Sequence, residues 1–352
     1  MWQKISLIAF FFCVIILGIF LISLYRTPAK PTLESPQRTL TKEISSQVAS
    51  GVGVSQNGRI GETIEKSITF AIAGDLMLDR GIDASFRGEK IYNIFDNLDK
   101  TIFAGKDLAL LNLEGPISKD EITLDNTYDN LIFNFPPLTP KVLSSLSINA
   151  VSLANNHSLN KGESGFQNTL SVLKSENIKS VGRQVGFDDR SIIRLESATG
   201  GRLAVIAIES LEDDADIAPY IQAEKSAGYN VMVFPHWGIE YADKHNTFQE
   251  NLAHRWIEAG ADLVVGSHPH VIQDAEVYRE KPIFYSLGNF VFDQTFSVET
   301  QRGLVLAGSI TDSSIEISLL PTKQLKLKPE LLAGSEKDQF VKDLKKFVCK
   351  YK

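Results

Sequence analysis

Three histidines stand at the ends of two short apolar runs. Residues 231–234 lead through Pro235 to His236, and residues 263–265 lead through Gly266 and Ser267 to His268-Pro269-His270. A third run, residues 150–154, closes in Asn155-Asn156-His157. The chain holds six histidines in all, so four of the six fall where an apolar run stops. A run that ends in this way reads as a buried strand delivering an imidazole at its carboxyl end, where open α/β sheets bind ligands. Two further runs end in carboxylates, at Asp75 and at Glu114. Imidazole, carboxylate and amide oxygen are the donors that suit zinc, manganese or iron. The two cysteines, Cys13 and Cys349, lie outside all of these segments, which excludes a thiolate site.

The elements that must position these groups alternate along the chain. Apolar strands are expected at residues 67–73, 108–112, 150–154, 203–208, 231–234, 263–266 and 283–287. Amphipathic helices are expected between them at 140–146, 165–176 and 247–259. Continuous apolar strands alternating with helices imply sheets covered on both faces. From Gly303 the pattern changes to the Val/Ile/Leu alternation of antiparallel finishing strands, at 303–310 and 315–319. The Lys-rich stretch 337–350 has the spacing of an amphipathic helix, read as a solvated face with membrane contact as the second reading.

The 352 residues, 43% hydrophobic and 22% charged, are ordinary for a globular protein. A net charge of −7 with no basic cluster interleaved with aromatics argues against nucleic-acid binding. Residues 5–25 form an almost unbroken apolar run, and about 20 such residues are what a helix needs to cross a bilayer. The run is longer than a secretory core and Arg26-Thr27-Pro28 follows in place of small cleavage-site residues. It reads as an uncleaved single-pass anchor that places the protein at the cell membrane, with the folded part on the extracytoplasmic side. Charge bias across the anchor barely chooses an orientation. Residues 26–66, rich in Pro, Ser, Thr and Gln, read as a flexible linker. The folded domain is expected over 67–321, with 322–352 as a C-terminal extension.

Six segments in order carry more information than any one of them. Each alone has a capping, turn or packing explanation, such as an Asn at a helix start. The ordered set GDLMLDR, LNLEGPI, LANNH, FPHWGIEY, GSHPHVIQ and YSLGNFVFD, spanning residues 68–321, resembles the CapA family of poly-γ-glutamate capsule biosynthesis proteins. That family in turn is similar in fold to the calcineurin-like metallophosphoesterases. The resemblance implies an α/β, metallophosphoesterase-like βαβα sandwich of two mixed sheets flanked by helices. It also implies a divalent metal centre of one or two ions (Mn, Zn or Fe) held by Asp75, Glu114, Asn156, His236, His268 and His270.

By the same resemblance Asp75, Glu114 and His270 serve a first metal, and Glu114, Asn156, His236 and His268 a second. His157 is then the acid or charge stabiliser, and Asp75 counts with it among the catalytic groups. The superfamily's first motif is Asp-x-His, and Met77 stands where its histidine belongs, so the first metal is weakened or uses Asp79 or Asn289. Arg80, Arg183 and Asn289 are candidates to hold an anionic substrate, the two arginines having an ion pair as their plainer reading. Trp237, Tyr241 and Phe290 read equally as pocket walls or as core, and His245 and His254 as surface positions. The implied partners are the membrane, an anionic envelope polymer or its precursors, and other capsule synthesis proteins. A metal-dependent hydrolase and a non-catalytic assembly or export component are both compatible with this pattern.

Overall fold

A computed structural model describes residues 65–118, 131–211 and 216–348. The anchor at 5–25 and nearly all of the 26–66 linker lie outside these residues. Among the described residues no helix is long and apolar enough to cross a membrane.

The elements follow as β1 (Ser67–Leu76), α1 (Arg80–Phe86), β2 (Leu108–Leu113), α2 (Thr139–Ser145), β3 (Ala150–Ser152), α3 (Gly162–Ser175) and β4 (Lys179–Val181). Next come β5 (Ile192–Glu196), β6 (Arg202–Ser210), α4 (Ala218–Ser226), β7 (Asn230–Trp237), α5 (Thr247–Ala259) and β8 (Leu263–Val265). The chain ends in β9 (Ala275–Tyr278), β10 (Lys281–Phe284), β11 (Asn289–Val291), β12 (Arg302–Thr311), β13 (Ile315–Leu325), β14 (Lys328–Leu331) and α6 (Gly334–Val348).

Two mixed sheets result. The first runs β14-β13-β12-β1-β2-β3-β4, with β11 added beside β1; β1 to β4 are parallel and β12 to β14 antiparallel. The second runs β5-β6-β7-β8-β10-β9 with antiparallel edges. Every residue of β2 and of β7 is buried, as strands covered on both faces require. Phe70, Leu110 and Val181 of the first sheet share one apolar cluster with Val205, Phe234 and Phe284 of the second, so the sheets pack face to face. The outer face of the first sheet is covered by Ile82, Leu143 and Phe166 of α1 to α3, and that of the second by Ile221 and Trp256 of α4 and α5. The layers are therefore helix, sheet, sheet, helix.

The strands that sequence pattern anticipates are present, with shifted ends. β3 stops at Ser152, and beyond it the Asn155 side chain donates to Asn112 Oδ1 and Leu113 O. β4, β5, β9 and β14 are short or lie towards sheet edges and carry no continuous apolar run that would announce them. β13 crosses residue 321, and α6 lays Phe340 and Leu344 on the core between the sheets, so the apolar face of the Lys-rich helix covers protein.

One glycine decides where two strands meet. A Cβ on Gly74 would stand 1.9 Å from the Gly288 carbonyl oxygen, which accepts from Asp75 N at 3.0 Å. Only a residue without a Cβ lets β11 close on β1 and bring Asn289 into register with Asp75. Gly74→Ala is expected to cost about 1–3 kcal/mol or more by overpacking. A denaturant midpoint equal to that of the parent would refute this role.

Candidate metal centre

The carboxyl ends of both sheets' parallel strands meet at one place. β1 carries Asp75, which pairs in register with Asn112 of β2 on one side and Asn289 of β11 on the other. Glu114 leaves β2 and donates its backbone N–H to Leu76 O at 3.0 Å, fixing it one residue beyond Asp75. From the second sheet, His236 near the end of β7 bridges in parallel to Ser267, just beyond β8. His268 and His270 follow Ser267 directly, and the backbone N–H of His268 donates to Asp75 Oδ2 at 3.3 Å across the two sheets.

Asn112 and Asn155 form the frame behind the ligands. Asn112 Nδ2 donates to Asp75 Oδ1 at 2.8 Å and also to Glu114 Oε2. Asn155 Nδ2 holds Asn112 through its Oδ1 at 2.9 Å, and Asn155 Oδ1 accepts from the His157 backbone at 3.1 Å. Neither residue stood out in the sequence, although both lie inside the quoted motifs. Ser267 Oγ lies 3.1 Å from His236 Nδ1, occupying that ring nitrogen and turning Nε2 inwards.

Three donor atoms converge on that Nε2. Asn156 Oδ1 is 2.9 Å from it, His268 Nδ1 3.1 Å and Glu114 Oε1 3.9 Å. Glu114 is fully buried, and its Oε1 has no hydrogen-bond partner. A single ring proton can satisfy one of these three contacts at most, whereas a cation satisfies all four atoms. The residues fit a divalent metal, and Asp75, Glu114 and His236 present ligand atoms within 4.8 Å of one another. Glu114, Asn156, His236 and His268, the set expected from sequence for a second metal, are the four residues gathered here.

The first-metal set is built differently. His270 Nδ1 lies 3.4 Å from Asp75 Oδ2 and 3.1 Å from Asn289 Oδ1. Met77 is packed in the core, and its sulfur accepts from Asp79 N at 3.1 Å. Asp79 caps α1 through Arg80 N at 2.8 Å and takes Asn134 N at 2.7 Å, so both its oxygens are committed. Of the two substitutes for the missing histidine, Asn289 stands at the site.

His157 hangs beside these ligands. Its Nδ1 lies 3.0 Å from Asn160 Oδ1, its Nε2 3.2 Å from Asn156 Nδ2, and its ring packs on Phe133. Arg80 is buried in an ion pair with Asp293 at 2.5 Å, between Phe133 and Phe292. Arg183 faces Glu163 and Asp188 at 3.6 and 3.8 Å. Both candidate substrate-binding arginines thus already have carboxylate partners. Trp237 and Phe290 are core, Trp237 stacking on Trp256, whereas Tyr241 is exposed beside His270. His245 and His254 are half-buried and paired with Asp274 at 2.9 Å and Glu276 at 2.7 Å.

Burial decides the charge of the metal-free site. It holds His236 well below the usual imidazole range, His268 down at about 3, and His157 below its ordinary value. Burial, with Asp75 nearby, pushes Glu114 well above the carboxylate range. Neutral imidazoles are ready to ligate without losing a proton. The folded state therefore binds fewer protons at His268 than the unfolded chain between its unfolded value of 6.5 and about 3, so this contribution to stability is lost as pH falls through that window. Metal-free protein should lose up to about 1.4 kcal/mol per pH unit for such an imidazole. His268→Asn should flatten the slope of unfolding free energy against pH, and an unchanged slope would refute it.

The sequence profile of the bacterial capsule synthesis protein PGA_cap matches residues 69–294, which contain every donor described above. The chain is 28% identical over 263 residues to the PGA biosynthesis protein CapA of Bacillus subtilis, covering 68% of this chain and 67% of that protein. It is 28% identical over 261 residues to the capsule biosynthesis protein CapA of Bacillus anthracis, covering 68% and 63%. A probable polyglutamine synthesis accessory protein of Mycobacterium tuberculosis is 29% identical over 214 residues, covering 53% of this chain and 56% of its own. The chain thus spans roughly two thirds of the two CapA relatives. With the profile matching well over half of its length, it belongs to the PGA_cap family of bacterial capsule synthesis proteins.

Proposed function

We propose that this protein is a membrane-anchored, metal-dependent hydrolase acting in capsule biosynthesis or export, on an anionic polymer of the poly-γ-glutamate type. The observation that carries the hydrolase reading is the convergence of Glu114, Asn156, His236 and His268 around one point, with Glu114 Oε1 buried and unpartnered. The capsule process follows from what the relatives are named for.

A divalent ion bound there supplies Lewis-acid polarisation of a phosphoryl or acyl oxygen. Asn156 ties two functions together, with its Oδ1 on His236 and its Nδ2 on His157. His157, kept neutral by burial, can take at Nε2 the proton of the water that attacks the scissile phosphoryl or acyl centre and pass it to the leaving group as its bond breaks. An anionic polymer must be met by local positive charge on a protein of net charge −7. Lys174 and Lys179 offer such charge in a groove of about 610 Å³ beside β4 and β5, where Arg190 and Arg194 are already paired with Asp188 and Glu224. The same groove suits the second reading, in which the fold holds polymer during assembly without cleaving it.

Elemental analysis of the full chain in mild detergent separates the two. Bound manganese, zinc or iron, lost in His236→Ala, is expected, together with turnover of phosphoesters or γ-glutamyl amides. His157→Asn should then lower kcat by about 10²–10⁴ while keeping the metal. Metal without turnover of either class would leave the assembly reading, and absence of metal would sink the hydrolase.

The membrane reading rests on residues 5–25 alone. Full-length protein should sediment with membranes and resist carbonate extraction, and a form lacking residues 1–26 should be released. Recovery of the full chain in the soluble fraction would reject the anchor.

A further inference from the structure

The turn after β7 carries a carboxylate that the metal centre described above does not use. Gly238 (φ 94°) and Tyr241 (φ 65°) both adopt left-handed backbone, and Tyr241 N donates to Pro269 O at 2.8 Å. That bond pins the 238–241 turn to the residue between His268 and His270. Glu240, exposed at the mouth, thereby offers a carboxylate oxygen within 4.8 Å of a ring nitrogen on each histidine.

Two three-ligand groups result, Asp75-Glu114-His236 and Glu240-His268-His270, with no residue in common. They abut, with His236 Nε2 3.1 Å from His268 Nδ1 and His270 Nδ1 3.4 Å from Asp75 Oδ2. The outer loop is held at a conformational cost. His268 at φ 99° and His270 at φ 58° join Tyr241 in backbone that non-glycine residues seldom adopt, at of order 1–3 kcal/mol each. A relay of side chains also holds the neighbouring Tyr241. Asn289 Nδ2 donates to Gln294 Oε1 at 3.0 Å, and Gln294 Nε2 to the Tyr241 hydroxyl at 3.1 Å. The Tyr241 backbone, next to Glu240, is in turn tied to Pro269 O.

We propose that Glu240 is a metal ligand, completing the outer half of a two-ion centre. The inference rests on the metal-centre reading above. With His268 assigned to the inner ion beside His236, the outer position keeps Glu240 and His270 and adds Asp75, 3.4 Å from His270. Such an oxygen-rich set suits manganese, whereas the inner set of Glu114, Asn156, His236 and His268 is richer in nitrogen and suits zinc or iron.

The test is calorimetric titration of the metal-free full chain with manganese chloride, beside Glu240→Gln and His236→Ala. Two ions are expected in the parent. Glu240→Gln should lose one, or bind it at least about tenfold more weakly, with the other unchanged. Its metal-free melting temperature should equal that of the parent, since Glu240 is exposed. Two ions of unaltered affinity in Glu240→Gln would overturn this inference and leave the metal centre standing. A single ion in the parent, retained by Glu240→Gln, would do the same. No manganese bound by the parent would overturn both.

Discussion

Two buried carboxylates share one amide, and most of the surrounding architecture answers to that arrangement. Asp75 and Glu114 are fully buried, and Asn112 Nδ2 donates to both. Burying an ionised carboxylate costs several kcal/mol after relaxation, far more than one shared neutral donor returns. The deficit is met either by protonating Glu114, the direction its environment favours, or by a cation. The imidazoles of His236 and His268, which burial holds below their ordinary range, and the Asn156 amide oxygen lie around the same point. The basic residue nearest in sequence, Arg80, is spent on Asp293.

The fold satisfies this demand by closing two sheets on each other so that their strand ends meet. Neither sheet holds the donor set alone. Asp75, Glu114 and Asn156 come from the first sheet and its loops, and His236, His268 and His270 from the second. Large apolar side chains between the sheets supply the driving force, since burial of each contributes about 1.5–3 kcal/mol. That surplus supports the left-handed backbone at His268 and His270, which packed surroundings alone can maintain. Close approaches at Gly74 and Gly266 set the spacing; a Cβ on Gly266 would lie 2.1 Å from the Tyr285 carbonyl.

A layer of asparagines converts this packing into fixed geometry. Asn112, Asn155, Asn156, Asn160 and Asn289 each use a side-chain oxygen or amide to aim a ligand or its neighbour. Asparagine suits the task because it donates and accepts without adding charge to a site already dense in carboxylate. Ser267 does the same for His236.

The sequence by itself determined which residues are chemically able to act and which strands carry them. Apolar runs ending in Asp75, His236 and His268 were legible because a parallel strand is buried on both faces and its polar terminus is conspicuous. The helix–sheet–sheet–helix order was legible from alternation together with the family resemblance. Tertiary structure decided what those residues do to one another. That Arg80 and Arg183 are engaged by carboxylates, that Asp79 caps a helix, and that α6 covers the core depends on neighbours distant in the chain. So does the placement of Glu240 over His268 and His270, which needs a left-handed turn and a backbone bond to Pro269. Periodicity records burial, face by face. It carries no information about the partner of a polar group, because that partner arrives from another strand only when the sheets close.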